Sequence, residues 1–345
     1  MPSIHEEEFM SRSTGQLAAG ITAVTLALVV AALAPPLMWA QRPAAPSFGS
    51  RGGSVPAVQR NTGATSGDQA NVSIGNFGMI DFPRANGTIA NGINKSGQIV
   101  GGYGGSDVFS RPDHSFVLKG SSFKAINYPG APSTEANAIN DSGMVVGYYT
   151  DSAGNTHGFQ LSGSTYTALD HPGDVAPYGT VAWGVNKSGE IVGGWWDGTK
   201  AHGFSLLNGK YTDYDVPGST YTTGLGINTS SQIVGWYGDS SGNIHGFLLD
   251  NGTFTTIDYP GYPANYVEGI NDKGQIVGGY GDNNPANFTW QHGFLYQNGQ
   301  FTLVDVPFGP AAVTQPTGVN NKGAISGLYA DGSGTFYGFV ATVGP

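Results

Sequence analysis

One ten-residue segment, "GINKSGQIVG" at residues 92–101, recurs along the chain with little change. It returns as "AINDSGMVVG", "GVNKSGEIVG", "GINTSSQIVG", "GINDKGQIVG" and "GVNNKGAISG", which sets its Asn at 94, 140, 186, 228, 271 and 320, about 45 residues apart. A repeat of this length is one supersecondary unit that cannot bury its apolar face alone and must stack on its neighbours. Asn followed three residues later by Gly suits a tight turn closed by a bulge, so each copy reads as a hairpin between apolar strands.

A second hairpin follows, shown best by "HGFLLDNGTFTTIDYPG" at 245–261. Asn251-Gly252 suits a two-residue turn with positive φ at both positions, and that turn fixes the register. Counting outward places His245 opposite Asp258, His202 opposite Asp215, His292 opposite Asp305 and His157 opposite Asp170. His114 falls opposite Asn127 by the same count.

Each unit therefore holds four short strands and no helical periodicity, the pattern of a propeller blade. The final unit stops at "FYGFVATVGP" without a fourth strand, while "SIGNFGMIDFP" at 73–83 stands before the first unit as a fourth strand without partners. The expected fold is all-β: a six-bladed β-propeller over 72–345, closed by that N-terminal strand, with Tyr337 opposite Asp81. An open solenoid would leave residues 74–82 unpaired. Composition fits, with 56 Gly, 17 Tyr, 17 Phe and 11% charged residues.

Net charge of −10 with only 14 Lys and Arg argues against nucleic acid as a partner. The absence of cysteine excludes disulfides, thiolate catalysis and Cys-zinc sites. Ahead of the propeller, residues 1–16 read as a cytoplasmic stretch or n-region and 17–40 as an uncharged hydrophobic helix, either a transmembrane anchor or a signal segment. Residues 41–71 read as a flexible linker, and either Met1 or Met10 can start the chain. These segments place the propeller outside the cytoplasm, secreted or tethered to the membrane through 17–40 if uncleaved, as a monomer.

"HGF" at 157, 202, 245 and 292, with the Asn motif before it and "ID-x-PG" after it, resembles the bacterial HAF-type extracellular repeat proteins. The resemblance covers 81–345, with Gly (158, 203, 246, 293 and 338) or Ser115 at the motif's Ala position. It implies an extracellular or envelope-associated repeat protein and carries over no catalytic residue.

Residues repeated in every unit point to equivalent places around a ring, so they read as scaffold. The His should bridge its cross-strand Asp, and the Phe that follows at 116, 159, 204, 247, 294 and 339 should fill the core. No metal centre is expected; Asp151 and Asp239 in "DSAGN" and "DSSGN" offer at most weak calcium binding, lacking alternating oxygen ligands. Strand glycines such as Gly147 and Gly235 mark close backbone approach.

Function should then lie where the units differ. The loop rim brings together Arg111, Tyr178, Trp195, Trp196, Tyr221, Tyr262, Tyr266 and Trp290, aromatics suited to sugar or peptide side chains. The position three before each turn Asn, occupied by Asn91, Asn137, Trp183, Leu225, Glu268 and Thr317, should face the channel, with Trp183 a further ligand-binding candidate. The leading expectation is a binding module for carbohydrate or protein. An alternative is a hydrolase or lyase acting in the channel through Glu268, with His171 or Asp174 as partner. A purely structural surface protein is the third.

Overall fold

The computed structural model describes residues 72–104, 113–282, 292–308 and 313–344. The anticipated segments 1–16, 17–40 and 41–71, together with Arg111 and Trp290, lie outside the described residues.

The described chain is all-β, a propeller-like arrangement of four-stranded antiparallel sheets without a helix. Strand β1 (Ile74–Ile80) comes first. Unit one then runs β2 (Gly87–Ile93), β3 (Ile99–Gly104), β4 (His114–Lys119) and β5 (Ser122–Ile126). Unit two holds β6 (Ser133–Ile139), β7 (Val145–Thr150), β8 (Thr156–Ser162) and β9 (Thr165–Leu169). Unit three holds β10 (Thr180–Val185), β11 (Ile191–Trp196), β12 (Ala201–Leu207) and β13 (Lys210–Tyr214). Unit four holds β14 (Tyr221–Ile227), β15 (Ile233–Gly238), β16 (Ile244–Asp250) and β17 (Thr253–Ile257). Unit five holds β18 (Ala264–Ile270), β19 (Ile276–Gly281), β20 (His292–Gln297) and β21 (Gln300–Leu303), joined to unit four by the single bridge Ile244–Ala264. Unit six holds β22 (Val313–Val319), β23 (Ala324–Ala330) and β24 (Phe336–Val343), and its outer strand is β1, paired Met79 with Phe339 and Ile80 with Gly338.

The outer hairpins keep the register set by their turns. Gly246 pairs with Ile257 and Asp250 with Thr253, while Asn251 and Gly252 sit at φ of 48° and 80°. The six motif phenylalanines are fully buried. Within units, the two innermost strands lie so close that a Cβ on Gly147 would meet the Glu135 carbonyl oxygen at 1.9 Å, and one on Gly235 would meet that of Thr223 at 1.9 Å.

The turn Asn does more than close its turn. Asn271 Oδ1 accepts the N–H groups of Lys273 and Gln275, both at 3.0 Å, while its Nδ2 donates across the unit boundary to the Asn320 carbonyl at 2.9 Å. Asn94, Asn140, Asn186 and Asn228 donate in the same way to the carbonyls of Asn140, Asn186, Asn228 and Asn271. Asn320 donates to Asn94 at 2.9 Å, so the circuit closes on itself.

Two outcomes follow. Asn271→Ala strands buried turn and inter-unit groups, and denaturant unfolding should show a loss of about 2–3 kcal/mol, since each orphaned buried polar group costs about 1–3 kcal/mol. An unchanged midpoint would contradict the linking role. Gly147→Ala forces a methyl into a backbone carbonyl; the expected loss is about 3 kcal/mol or failure to fold, read by circular dichroism.

Candidate functional site

The recurring His belongs to a belt around the outer strands. His157, His202, His245 and His292 each bring Nδ1 to the cross-strand Asp at 2.6–3.0 Å. Three of them bring Nε2 to a second carboxylate in the preceding turn: Asp151 at 3.5 Å, Asp197 at 3.1 Å and Asp239 at 3.4 Å. The ring face meanwhile stacks on an aromatic of the neighbouring strand, His157 on Tyr149 at 5.0 Å and His202 on Trp195 at 4.8 Å. That aromatic is covered on its other side by the residue entering from the previous unit: Phe82 on Tyr103 and Tyr128 on Tyr149, both at 3.6 Å, and Tyr259 on Tyr280 at 3.8 Å. In unit one Asn127 Oδ1 accepts the Ser115 N–H instead, and in unit six Tyr337 stacks on Tyr329.

The belt and the connection beside it hold the two residues considered as partners for Glu268. His171 takes the covering position of Phe82 and Tyr128, stacked on Trp195 at 4.0 Å with Nε2 3.2 Å from Asp213. Asp174 accepts the Thr180 hydroxyl within the same connection, while Thr180 Oγ1 accepts the His171 N–H. Neither residue is brought to Glu268, because both serve the join between units two and three. Trp195 belongs to the same belt, donating Nε1 to Asp213 at 3.1 Å. The turns considered for calcium use their carboxylates internally: Asp151 accepts the N–H groups of Ala153 and Asn155, and Asp239 those of Ser241 and Asn243.

The axis holds the second cluster. Each innermost strand has a register shift just before the turn, as between Ala136 and Ala138 or Val267 and Gly269, so one residue is left out of the ladder. A bulge of this kind bends the strand and re-aims a side chain. The six extra residues are Asn91, Asn137, Trp183, Leu225, Glu268 and Thr317, and together they line a cavity of about 30 Å³ on the axis. Wider spaces of about 90 Å³ continue from it toward the turn face, past a ring of Ile and Val. The sequence-based channel positions are thus brought together.

Two carboxylates stand in this region. Glu268, 9% exposed, accepts Gln315 Nε2 at 2.7 Å. Glu135, 5% exposed, accepts Asn91 Nδ2 at 3.1 Å and the Tyr148 hydroxyl at 2.5 Å. Sequence reasoning missed Glu135, although it lies two residues before Asn137 and the two-residue period of a strand could have found it. Trp236 was missed too. It meets Tyr221 edge-on at 5.6 Å and Tyr266 at 5.5 Å in a buried aromatic wall. Tyr221 and Tyr266, expected on the rim, are therefore interior side chains. Trp183 lines the cavity and meets Tyr148 at 6.2 Å. Tyr178 packs edge-on against Trp196 at 5.8 Å nearer the surface, and Tyr262 is exposed.

The chain is similar in structure to AofleA from Arthrobotrys oligospora (TM-score 0.49, 12% identity, 77% of this chain and 86% of that one). It is also similar to a putative TolB from Agrobacterium tumefaciens (TM-score 0.46, 10% identity, 75% and 91%). A third similar structure is the Aleuria aurantia lectin in complex with Fucα1-6GlcNAc (TM-score 0.45, 12% identity, 75% and 95%). No protein-family model and no curated protein matches the sequence.

The belt generates a pH dependence. Burial disfavours the charged His245 ring, but hydrogen bonds and charge from Asp258 and Asp239 outweigh it and raise the pKa above the usual value. The hydrogen bond to Asp305 raises His292 against the opposing effect of burial. Burial acts to raise Asp239, yet its turn hydrogen bonds and His245 lower it to about 2. A raised His contributes stability that is complete below its unfolded pKa of about 6.5 and is lost as pH rises through the folded pKa. Thermal melts should show stability falling above about pH 6.5, and His245→Gln/His292→Gln should flatten that fall. Equal slopes in both proteins would contradict the belt's electrostatics.

Proposed function

We propose that this chain is a six-bladed, HAF-type repeat propeller, secreted or tethered outside the cytoplasm, that binds carbohydrate where its innermost strands converge. One observation carries the reading. The Asn turns, motif phenylalanines and His belt recur from unit to unit, whereas the bulge position holds Asn, Asn, Trp, Leu, Glu and Thr and converges on one axial cavity. Repetition serves the scaffold, and divergence at a shared point serves recognition. Amides and carboxylates bind sugar hydroxyls, and Trp183, which lines the cavity, offers apolar surface to the C–H face of a sugar ring. Among the described residues, Trp196, Tyr178 and Tyr262 support protein binding at the outer rim.

The two buried carboxylates favour a second reading, a glycoside hydrolase, because such enzymes place a carboxylate pair about the scissile bond. Asn91 and Tyr148 donate to Glu135 and Gln315 donates to Glu268, so each carboxyl group is already held by protein donors, an arrangement that suits fixed recognition better than turnover.

Titration calorimetry of the intact chain against an oligosaccharide panel tests the proposal. A ligand should bind, and Trp183→Ala should weaken it at least about tenfold, or about 1.4 kcal/mol. Absence of binding across the panel, or unchanged affinity in the variant, would overturn carbohydrate recognition at the axis; released product would support the hydrolase.

A further inference from the structure

Lysine is distributed unevenly over the propeller. One face carries all six Asn turns and the tight turns between the two outer strands of units one to five. Lys95, Lys187, Lys273 and Lys322 stand in Asn turns, and Lys119 and Lys210 flank outer turns. These are six of the nine Lys and Arg among the described residues, and all six are exposed. Among the described residues none of the six forms an ion pair, whereas Lys200, on the opposite face, is held by Asp215 at 2.9 Å. The carboxylates of the turn face are fewer and are engaged. Asp141 accepts the Lys95 N–H at 2.8 Å, Asp272 accepts the Thr229 N–H at 2.9 Å, and Asp250 accepts Gln232 Nε2 at 3.0 Å. Six lysines against these three and the buried Glu190 leave the face net positive on a chain whose net charge is −10. The opposite face gathers the belt aspartates, with Arg84 and Lys200 as its cations among the described residues.

Topology brings the start of the described chain to the same face. The Ser73 carbonyl accepts the Gly344 N–H at 2.7 Å, and beside it the Val343 N–H reaches the Gly323 carbonyl of the sixth Asn turn at 2.7 Å. Strand β1 therefore begins at the turn face and runs toward the opposite one. The uncharged stretch 17–40 precedes it in the sequence, and its 24 residues exceed the roughly 20 that span a bilayer. An anchor within that stretch joins the propeller on the lysine side. The rim of this face also presents an apolar group, Leu207, which is 41% exposed and pairs with Lys210 across the outer turn. An apolar side chain beside a basic one suits the boundary between headgroups and acyl chains.

We infer that the turn face is a docking surface for an anionic lipid bilayer, with tether and lysines holding the same side of the propeller against headgroup phosphates. This rests on the tethered form of the proposed function and goes beyond it by fixing an orientation. Attraction of lysine to an anionic surface acts within about a Debye length, about 8 Å at physiological ionic strength, so lysines gathered on one face act together. The aspartates of the other face are repelled by the same field, which resists inversion. A ligand of the axial cavity then enters from the acidic side.

The chain has no cysteine, so a single introduced thiol takes a fluorescent label at one place. Ser96→Cys labels the turn face and Ser152→Cys the opposite one, both at exposed positions. The intact chain is placed in phosphatidylglycerol nanodiscs that carry an energy acceptor on a fraction of the headgroups. Transfer should be at least about twofold greater from residue 96 than from residue 152, because the two faces stand about 20 Å apart along a six-residue strand. That difference should shrink in phosphatidylcholine discs, in high salt, and in the variant Lys119→Glu/Lys210→Glu/Lys273→Glu; circular dichroism checks folding, and the Lys→Gln counterpart replaces it if it does not fold. Equal transfer from both labels, or greater transfer from residue 152, would overturn the docking surface and leave the tether standing. A difference that survives charge reversal and neutral lipid would overturn the lysines' part, leaving orientation to the tether alone. A chain that does not enter the discs would overturn the tethered form and this inference with it. Loss of the difference on adding soluble polyphosphate, with no difference between the two lipids, would reassign the face to a free polyanion.

Discussion

The fold rests on a hydrogen bond of 2.9–3.3 Å made six times, from an asparagine side-chain nitrogen to the backbone carbonyl of the next asparagine along the ring. Each of these residues is at most 5% exposed, so the bond forms where water cannot substitute for it. The same side chain closes its own turn through Oδ1, so turn geometry and unit spacing are set by one residue. Asparagine is suited to this because its amide carries both a donor and an acceptor. Aspartate would lack the donor, and serine would not reach. Where the fourth turn residue is Ser231 rather than glycine, it holds φ at 56° and ties its hydroxyl to Glu190 of the preceding unit at 2.6 Å.

From that circuit the two ends of the molecule acquire different tasks. On the outside, the stack of linker ring, strand aromatic and histidine carries contact from one unit into the next, with aspartates fixing each imidazole edge. On the axis, the bulge beside each asparagine leaves one residue outside the ladder and aims it inward. The bulge frees that residue from pairing, which is why it can vary from Asn to Trp to Glu without breaking the sheet. Variation is thereby separated from stability within the span of three residues.

Much of this was legible in the sequence because it depends on local turn chemistry. Asn251-Gly252 fixed its own hairpin register, the spacing of the asparagines gave the unit length, and the lone strand around Ile80 matched the missing edge beside Phe339. The position three before each asparagine pointed to the axis for the same local reason. What escaped depended on partners far away in the chain. His171 read as a possible base because its stacking partner Trp195 and its carboxylate Asp213 lie on other strands. Tyr221 and Tyr266 read as exposed because Trp236, which packs between them, belongs to a strand whose face is not marked by the motif. Glu135 and Glu268 could not be related from sequence, since they sit in units on either side of the ring.

Everything at the axis requires that the ring be closed, and closure rests on β1 lying against β24. Ile74 pairs with Val343 there, and the Val343 N–H is turned away from β1 to the Gly323 carbonyl, which marks the pair as one without direct backbone bonds. Side chains approach most closely at such positions, within disulfide reach. Because the chain has no cysteine, an Ile74→Cys/Val343→Cys variant carries a single possible internal bridge. On mild oxidation it should form that bridge within one chain and melt at a higher temperature than its reduced form. A folded variant that remains reduced, or that bridges only between molecules, would contradict the closed ring.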